Sequence, residues 1–412
     1  MKKIVIIGAG VSGLVAALHL ESNGYSPVIF EADTKVGGRV QSNLLDGYIL
    51  DSGFQVLLSA YPMAKKYLDY DALNLKNFAS GSYIFDNDTT HIIGDPLRDS
   101  SILFPTIFSG VGSFSDKWKV FKLSKALKKK SIATIFNEEE TTTLQYLEDY
   151  GFSEKIINSF FKPFYTGIFL ETNLETSSRM FEFIFKMFSG GQAAIPAKGI
   201  QEIPNQLASK LKKTTIEFEK SVQSVTGNKI VFNDESQQQF DYCIIATEAS
   251  NLIPNLKNTE VVWKSTQTLY FEVSTEAVFN KKMIGLLANE SKALINSICF
   301  PYTENSTNAL LSVTIVKAHD FSEFELVKEV KKELNKYFKI DPSKYLKTID
   351  ITKALPNLLD VRYSVNPSET QLTESIFLAG DTMLNGSLNG AMHAGELAAQ
   401  AVNEKVTGNI LS

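Results

Sequence analysis

The chain has 412 residues, 44% of them hydrophobic, which exceeds one ordinary core and points to two or three domains. A balance of 41 basic against 46 acidic residues gives a net charge of −5, and no stretch combines dense arginine with aromatics, which argues against nucleic acid as a partner. No apolar run reaches the about 18 residues needed to span a bilayer, and Cys243 and Cys299 sit in separate apolar runs as reduced core residues.

The first forty residues carry the strongest signal. A β-branched run, Ile4-Val5-Ile6-Ile7, ends at Gly8, further glycines follow at Gly10 and Gly13, and helical apolar spacing starts at once with Leu14, Val15 and Leu18. Strand, tight turn and helix in this order are what a dinucleotide-binding turn requires: Gly8 permits the turn, Gly10 lets backbone approach a pyrophosphate, and Gly13 lets helix and strand pack closely. The unpaired N–H groups at the helix start favour a dianion without help from lysine or arginine. A second strand, Pro27-Val28-Ile29-Phe30, ends in Glu31, a carboxylate placed to accept ribose hydroxyls and to repel a 2′-phosphate. The short apolar run behind Lys2-Lys3 is interrupted by these glycines, so it is expected to stay uncleaved, in a cytoplasmic protein.

Beyond Tyr61 the chain becomes longer in its segments, more aromatic and mostly helical, as an inserted region would. Phe152 to Phe164 reads as a helix stopped by Pro163, and Met180 to Met187 resumes helical spacing. From about Gly190 the first pattern returns, with an amphipathic helix through Ile203, Leu207 and Leu211, a strand at 216–219, a meander over 221–232, and a buried strand at 240–247 that returns beside the first. Trp263 to Val273, Met283 to Leu287, Ala293 to Phe300 and Ala309 to Val316 predict a second, antiparallel sheet, followed by an exposed helix from Glu323 to Phe338. Ile376-Phe377-Leu378-Ala379 is a last apolar strand ended by Gly380-Asp381, and Ala391 to Val402 is an alanine-rich helix.

Three separated blocks, Glu31 to Val40 with Gly37-Gly38-Arg39, Cys243 to Thr247, and Leu378 to Asp381 with Gly386 to Ala391, together resemble the FAD-dependent amine oxidase, phytoene desaturase and protoporphyrinogen oxidase superfamily. The resemblance covers about half of the chain. It implies an α/β fold, in which a Rossmann-like FAD-binding domain of residues 1–62, 190–252 and 350–412 joins a discontinuous α+β substrate domain. That second domain takes 63–189 and 253–349, an antiparallel sheet plus a helical insert. By position, Gly8, Gly10, Ser12 and Gly13 would meet the pyrophosphate, Glu31 the ribose, and Arg39 a phosphate oxygen, with Val11, Ala32 and Gly38 as further cofactor-binding positions. Val222 would lie at the adenine edge. Gly380 and Asp381 would hold the phosphate and ribityl region, and Leu388 with the N–H groups near Asn389, Gly390 and Ala391 would face the flavin pyrimidine, where a helix start favours negative charge. Gly53, Phe54 and Gln55 would border the ring, with Gln55 directed at the reacting face.

The resemblance further implies non-covalent FAD, since no cysteine stands in the Leu384 to Ser387 stretch, and hydride uptake by the flavin from an activated C–H. No catalytic base is evident: His19, His91, His319 and His393 have no supporting context, and Lys264 is a poor match to the lysine that some amine oxidases carry. No Cys or His pair has metal-ligand spacing. Desaturase-like dehydrogenation of a hydrophobic substrate is the preferred reading, with electrons passing to oxygen, a quinone or another acceptor. A peroxide-forming amine oxidase, an NAD-dependent dehydrogenase and a non-catalytic flavin-binding protein stay open. Tyr61, Phe164, Tyr165 and Phe169 could line a flat apolar pocket, but their spacing favours core. The segment from Ser101 to Phe136, apolar and then lysine-rich, reads first as a lid over the cavity, and second as a helix lying on the inner face of a membrane.

Overall fold

The computed structural model describes residues 2–53, 55–86, 88–95, 98–253, 256, 260–302 and 308–408. Its first sheet has five parallel strands, in the spatial order Thr215–Glu217, Val28–Phe30, Ile4–Ile7, Tyr242–Ile245, Ile376–Leu378. The central strand is buried along its whole length because both of its faces are covered. Ile4 and Ile6 face the first helix (Val11–Ser22) and the last helix (Leu388–Thr407), whereas Val5 and Ile7 pack with Val225, Ile230 and Phe232 of the antiparallel meander 222–239. Alternate residues of one short strand thus hold two separate cores.

The first and last helices touch more closely than side chains normally allow. A Cβ on Gly395 would fall 2.1 Å from the Ser12 carbonyl oxygen, so this glycine lets the end of the chain seat on the start of the first helix.

The second sheet has seven strands, ordered Lys344–Pro356, Trp263–Ser274, Asn308–Ile315, Ile295–Cys299, Ile284–Leu287, Gly81–Asp86, Thr89–Gly94. All neighbours are antiparallel except 284–287 with 81–86. Three of its members differ from expectation. The hairpin 81–94 comes from a region read as mostly helical, and strand 344–356 runs across the boundary placed at 350. That strand lies at the sheet edge and carries Lys344, Lys347, Asp350 and Lys353, which protect an edge from further pairing and erase the apolar alternation that would mark it in the sequence. The helix after this sheet is not wholly exposed either: Leu326, Val330 and Leu334 are buried against the sheet, and Ser322 and Glu325 form a capping box.

Between these sheets the helical insert packs around Ser178–Gly190, whose Phe181, Phe183, Ile184 and Met187 are buried. The helix expected to stop at Pro163 instead continues. A π turn over Ile157–Phe161 widens the backbone just ahead of the proline, and Lys162–Phe169 runs on with Pro163 in its first turn, where a missing N–H costs little. Aromatic packing holds that path, with the Tyr165 ring 4.9 Å from Phe181 and the Phe161 ring 4.9 Å from Phe152.

Candidate active site

The parallel sheet, the seven-stranded sheet and the insert enclose one continuous cleft of about 2380 Å³. Ordinary small-ligand pockets hold roughly 300–1,000 Å³, so this cleft has room for a dinucleotide and a second molecule. It begins at the glycine turn. Gly8 has φ +101°, in the region that favours glycine, and a Cβ on Gly13 would lie 2.0 Å from the Gly8 carbonyl oxygen. Gly10 instead has nothing within 4 Å of a would-be Cβ and opens on the cleft. As the cap of the first helix it supplies no side chain, no acid stands in the first turn, and the Ser12 hydroxyl is buried without a hydrogen-bond partner among the described residues. Free helix N–H groups beside an unused hydroxyl are the donor set a pyrophosphate needs. Gly13 itself does not line the cleft; its role is packing.

Glu31 is aimed by backbone. One of its oxygens accepts the Ala9 N–H at 2.6 Å and the other the Asp33 N–H at 2.9 Å, leaving the remaining lone pairs toward the cleft. Ala32, Gly38 and Val222 line the same end.

Arg39 and Asp381, 342 residues apart, pair at 2.5 Å. Arg39 also donates to the Ala354 carbonyl at 3.2 Å and lies over the Trp263 ring at 5.0 Å. The guanidinium expected to serve a phosphate oxygen thus also pairs with the carboxylate from the other end of the chain. Neither Trp263 nor Ala354 carries a sequence signal for this role, because the contact forms only when the second sheet crosses the first.

At the last helix, Ser387 accepts the Gly390 N–H on its hydroxyl at 2.9 Å and the Ala391 N–H on its carbonyl at 2.9 Å. Those two donors, expected to face a ligand, are consumed by the helix itself. The helix start at Leu388 and Asn389 carries the remaining free N–H groups. Leu388, Ala391 and Gly380 line the cleft, but the Asn389 side chain turns inward and accepts the Met63 N–H at 3.0 Å.

Gly53 and Gln55 line the cleft; Phe54 lies outside the described residues. Gln55 departs from expectation, because its amide donates to the Arg39 and Ser52 carbonyls at 2.9 and 2.8 Å and clamps its own loop. Beneath that loop is a residue that the sequence reading left without a role. Asp51 is buried and accepts from Ser42 Oγ at 2.6 Å, Ile200 N at 3.1 Å and the Tyr302 hydroxyl at 2.8 Å. Burial pushes its carboxyl above the usual range, against the pull of those donors.

The far end of the cleft is walled by Phe160, Phe164, Tyr165, Phe169, Phe185 and Phe188. Tyr61 also lines the cleft. Tyr61, Tyr165 and Phe169 are at the same time buried core residues, so core and pocket are here one set of side chains. Lys264 reaches this cavity and donates to Thr176 Oγ1 at 3.0 Å; that hydroxyl lies 3.2 Å from Glu171 Oε1. Burial lowers the Lys264 ammonium below its ordinary range, opposed by Glu171 and Glu175. Glu171, Glu175 and Thr176 were not read as site residues, since they reach Lys264 only through the fold. None of the four histidines lines the cleft, and His393 is held by the Tyr363 carbonyl at 3.0 Å. Among the described residues no group of His, Cys, Asp and Glu could hold a metal.

Residues 11–403 match the family described as flavin containing amine oxidoreductase, and the chain belongs to that family. That family is one of flavin-containing oxidoreductases. The chain is similar to protoporphyrinogen oxidase 2 of Arabidopsis thaliana, 28% identical over 40% of this chain and 32% of that protein. It is also similar to the 4,4'-diapophytoene desaturase of Staphylococcus aureus, 30% identical over 30% of this chain and 27% of that protein. Those matches span about a third of the relatives' length. Its fold is shared with cyclohexylamine oxidase from Brevibacterium oxydans, with a TM-score of 0.69, 16% identity, and coverage of 98% and 99%. Family membership displaces the nicotinamide reading of the first motif.

Proposed function

We propose that the protein dehydrogenates an apolar, flat or polyene-like substrate, with desaturase-like chemistry. The observation that carries this reading is the aromatic far end of the cleft, a wall that favours a molecule able to bury area over one that must stay hydrated. FAD, when bound without a covalent link, would supply the two-electron acceptor. The chain's own part is binding, orientation and exclusion of water. The first helix start and Ser12 would hold the pyrophosphate and Glu31 the ribose. The Arg39–Asp381 pair would fasten the middle of the nucleotide, and the free N–H groups at Leu388 and Asn389 would favour negative charge on the pyrimidine edge. The aromatic wall would keep the reacting C–H dry.

One observation favours an amine as the second reading: Glu171 and Glu175 at the cleft beside Lys264 could accept an ammonium group, and Lys264, eased toward its neutral form, could exchange a proton through Thr176. Anaerobic mixing of the yellow protein with polyenes, porphyrinogens and amines tests the choice. Bleaching by an apolar substrate is the expected result. Bleaching by amines alone, with peroxide formed in air, would reverse the order.

A further inference from the structure

Of the thirteen strongly exposed large hydrophobic residues in the described chain, seven fall between Leu103 and Phe121. They stand on two helices, Leu103–Phe108 and Phe114–Lys129, with Phe104 68%, Phe108 79%, Phe114 73% and Trp118 52% exposed. A patch of this kind on a folded protein marks a surface that meets something. The two helices act as one unit, because Lys117 Nζ donates to both the Ile107 and the Ser109 carbonyls at 2.9 Å. Phe104 stacks on Phe108 and Trp118 on Phe121.

The charge pattern identifies the occupant. Residues 117–130 hold seven lysines and no acid, in a chain whose net charge is −5. Along the exposed stripe of the second helix, Phe114, Trp118 and Phe121 give way to Lys122, Lys125 and Lys129, and Lys122 Nζ lies 5.7 Å from the centre of the Trp118 ring. Aromatics that seat among acyl chains, followed by ammonium groups at headgroup level, are the arrangement of an interfacial helix on an anionic bilayer. A second copy would suit the patch poorly, since a twofold contact offers the lysines of 117–130 only an apolar or a lysine-bearing surface and no acid from that stretch. The patch is also the rim of the cleft: Leu103, Ile107, Phe114, Trp118 and Phe121 line both. No described helix is long and apolar enough to cross a membrane, so the contact is peripheral.

We infer that helices 103–108 and 114–129 dock the protein on an anionic bilayer surface and open the cleft toward lipid. Docking is independent of the chemistry proposed above, because it is read as partitioning of the holoprotein. Co-sedimentation with phosphatidylcholine vesicles, with and without phosphatidylserine, is the test. Wild type is expected to pellet with the anionic vesicles and to lose at least about tenfold in partitioning without phosphatidylserine, or as the triple variant K122E/K125E/K129E. F104S/F108S should lose a similar factor, with Tm and bound flavin unchanged because those side chains are exposed. Trp118 emission should shift to the blue on anionic vesicles, a shift absent from W118F, which retains Trp263. Failure to pellet, equal pelleting of all variants, pelleting without the Trp118 shift, or concentration-dependent dimers in place of vesicle binding would each overturn the inference.

Discussion

The two ends of the cleft are built on opposite principles. At the glycine-turn end, proposed above to hold the nucleotide, backbone does the shaping: glycines remove Cβ atoms, helix starts present N–H groups, and each acid is aimed by a named donor. At the far end large side chains do it, with phenylalanines and tyrosines that serve at once as core and as wall. A backbone-shaped site tolerates almost no change and accepts one ligand, whereas a side-chain-shaped site can be recut by substitution while its scaffold stays. The difference suits a flavin-containing family whose relatives range in name from protoporphyrinogen oxidase to desaturase to cyclohexylamine oxidase.

The largest expected effect breaks the backbone end. Gly13→Val places atoms where Cβ alone would sit 2.0 Å from a fixed carbonyl, so loss of flavin and a destabilisation of about 4 kcal/mol or more are expected by absorbance and thermal melt. Even Gly13→Ala, which at an ordinary helix site would gain about 1 kcal/mol, should destabilise here.

At the other end, Phe181→Ala removes a fully buried ring that does not line the cleft. It should cost about 3–5 kcal/mol in denaturant unfolding and leave flavin content at native level while the protein is folded. Equal loss of flavin in this variant would show that the two ends are not independent.

Asp116 sharpens the contrast through pH. Burial pushes its carboxyl up, but the Ser153 and Ser113 N–H groups and both serine hydroxyls more than offset this and hold it at about 2. The folded value lies below the unfolded one of about 3.9, so its stabilisation of about 2–3 kcal/mol is present above the unfolded value and is lost as pH falls from about 5 toward 2. Asp116→Asn should flatten that part of the acid-unfolding curve, measured by circular dichroism, and loosen the start of the lysine-rich helix without altering flavin content at pH 7.

The smallest effect is on affinity. Glu31→Ala should weaken FAD about tenfold to a hundredfold, as loss of hydrogen bonds to a charged group does, with little change in Tm of the apoprotein; flavin retention after dialysis reads it. Unchanged retention would remove Glu31 from the ribose site.

Much of the glycine-turn end was legible because its signals are local. The glycines at 8, 10 and 13, the strand pair before Glu31 and the Gly380-Asp381 turn each act within a few residues of themselves. The far end was legible only as composition. Phenylalanine at helical spacing looks the same whether it fills a core or walls a pocket, and the chain does both with Tyr165 and Phe169.

The sequence by itself determined the class of cofactor turn, the parallel sheet and the four central strands of the second sheet, since steric demands on glycine and alternation of burial are written in neighbouring residues. Only tertiary structure decided that Arg39 meets Asp381, that Gly395 seats on Ser12, that Lys264 reaches Thr176, and that strand 344–356 closes the second sheet. Each of these joins residues 60 or more positions apart, or hides an edge strand behind its charges, and no short-range pattern encodes such a meeting.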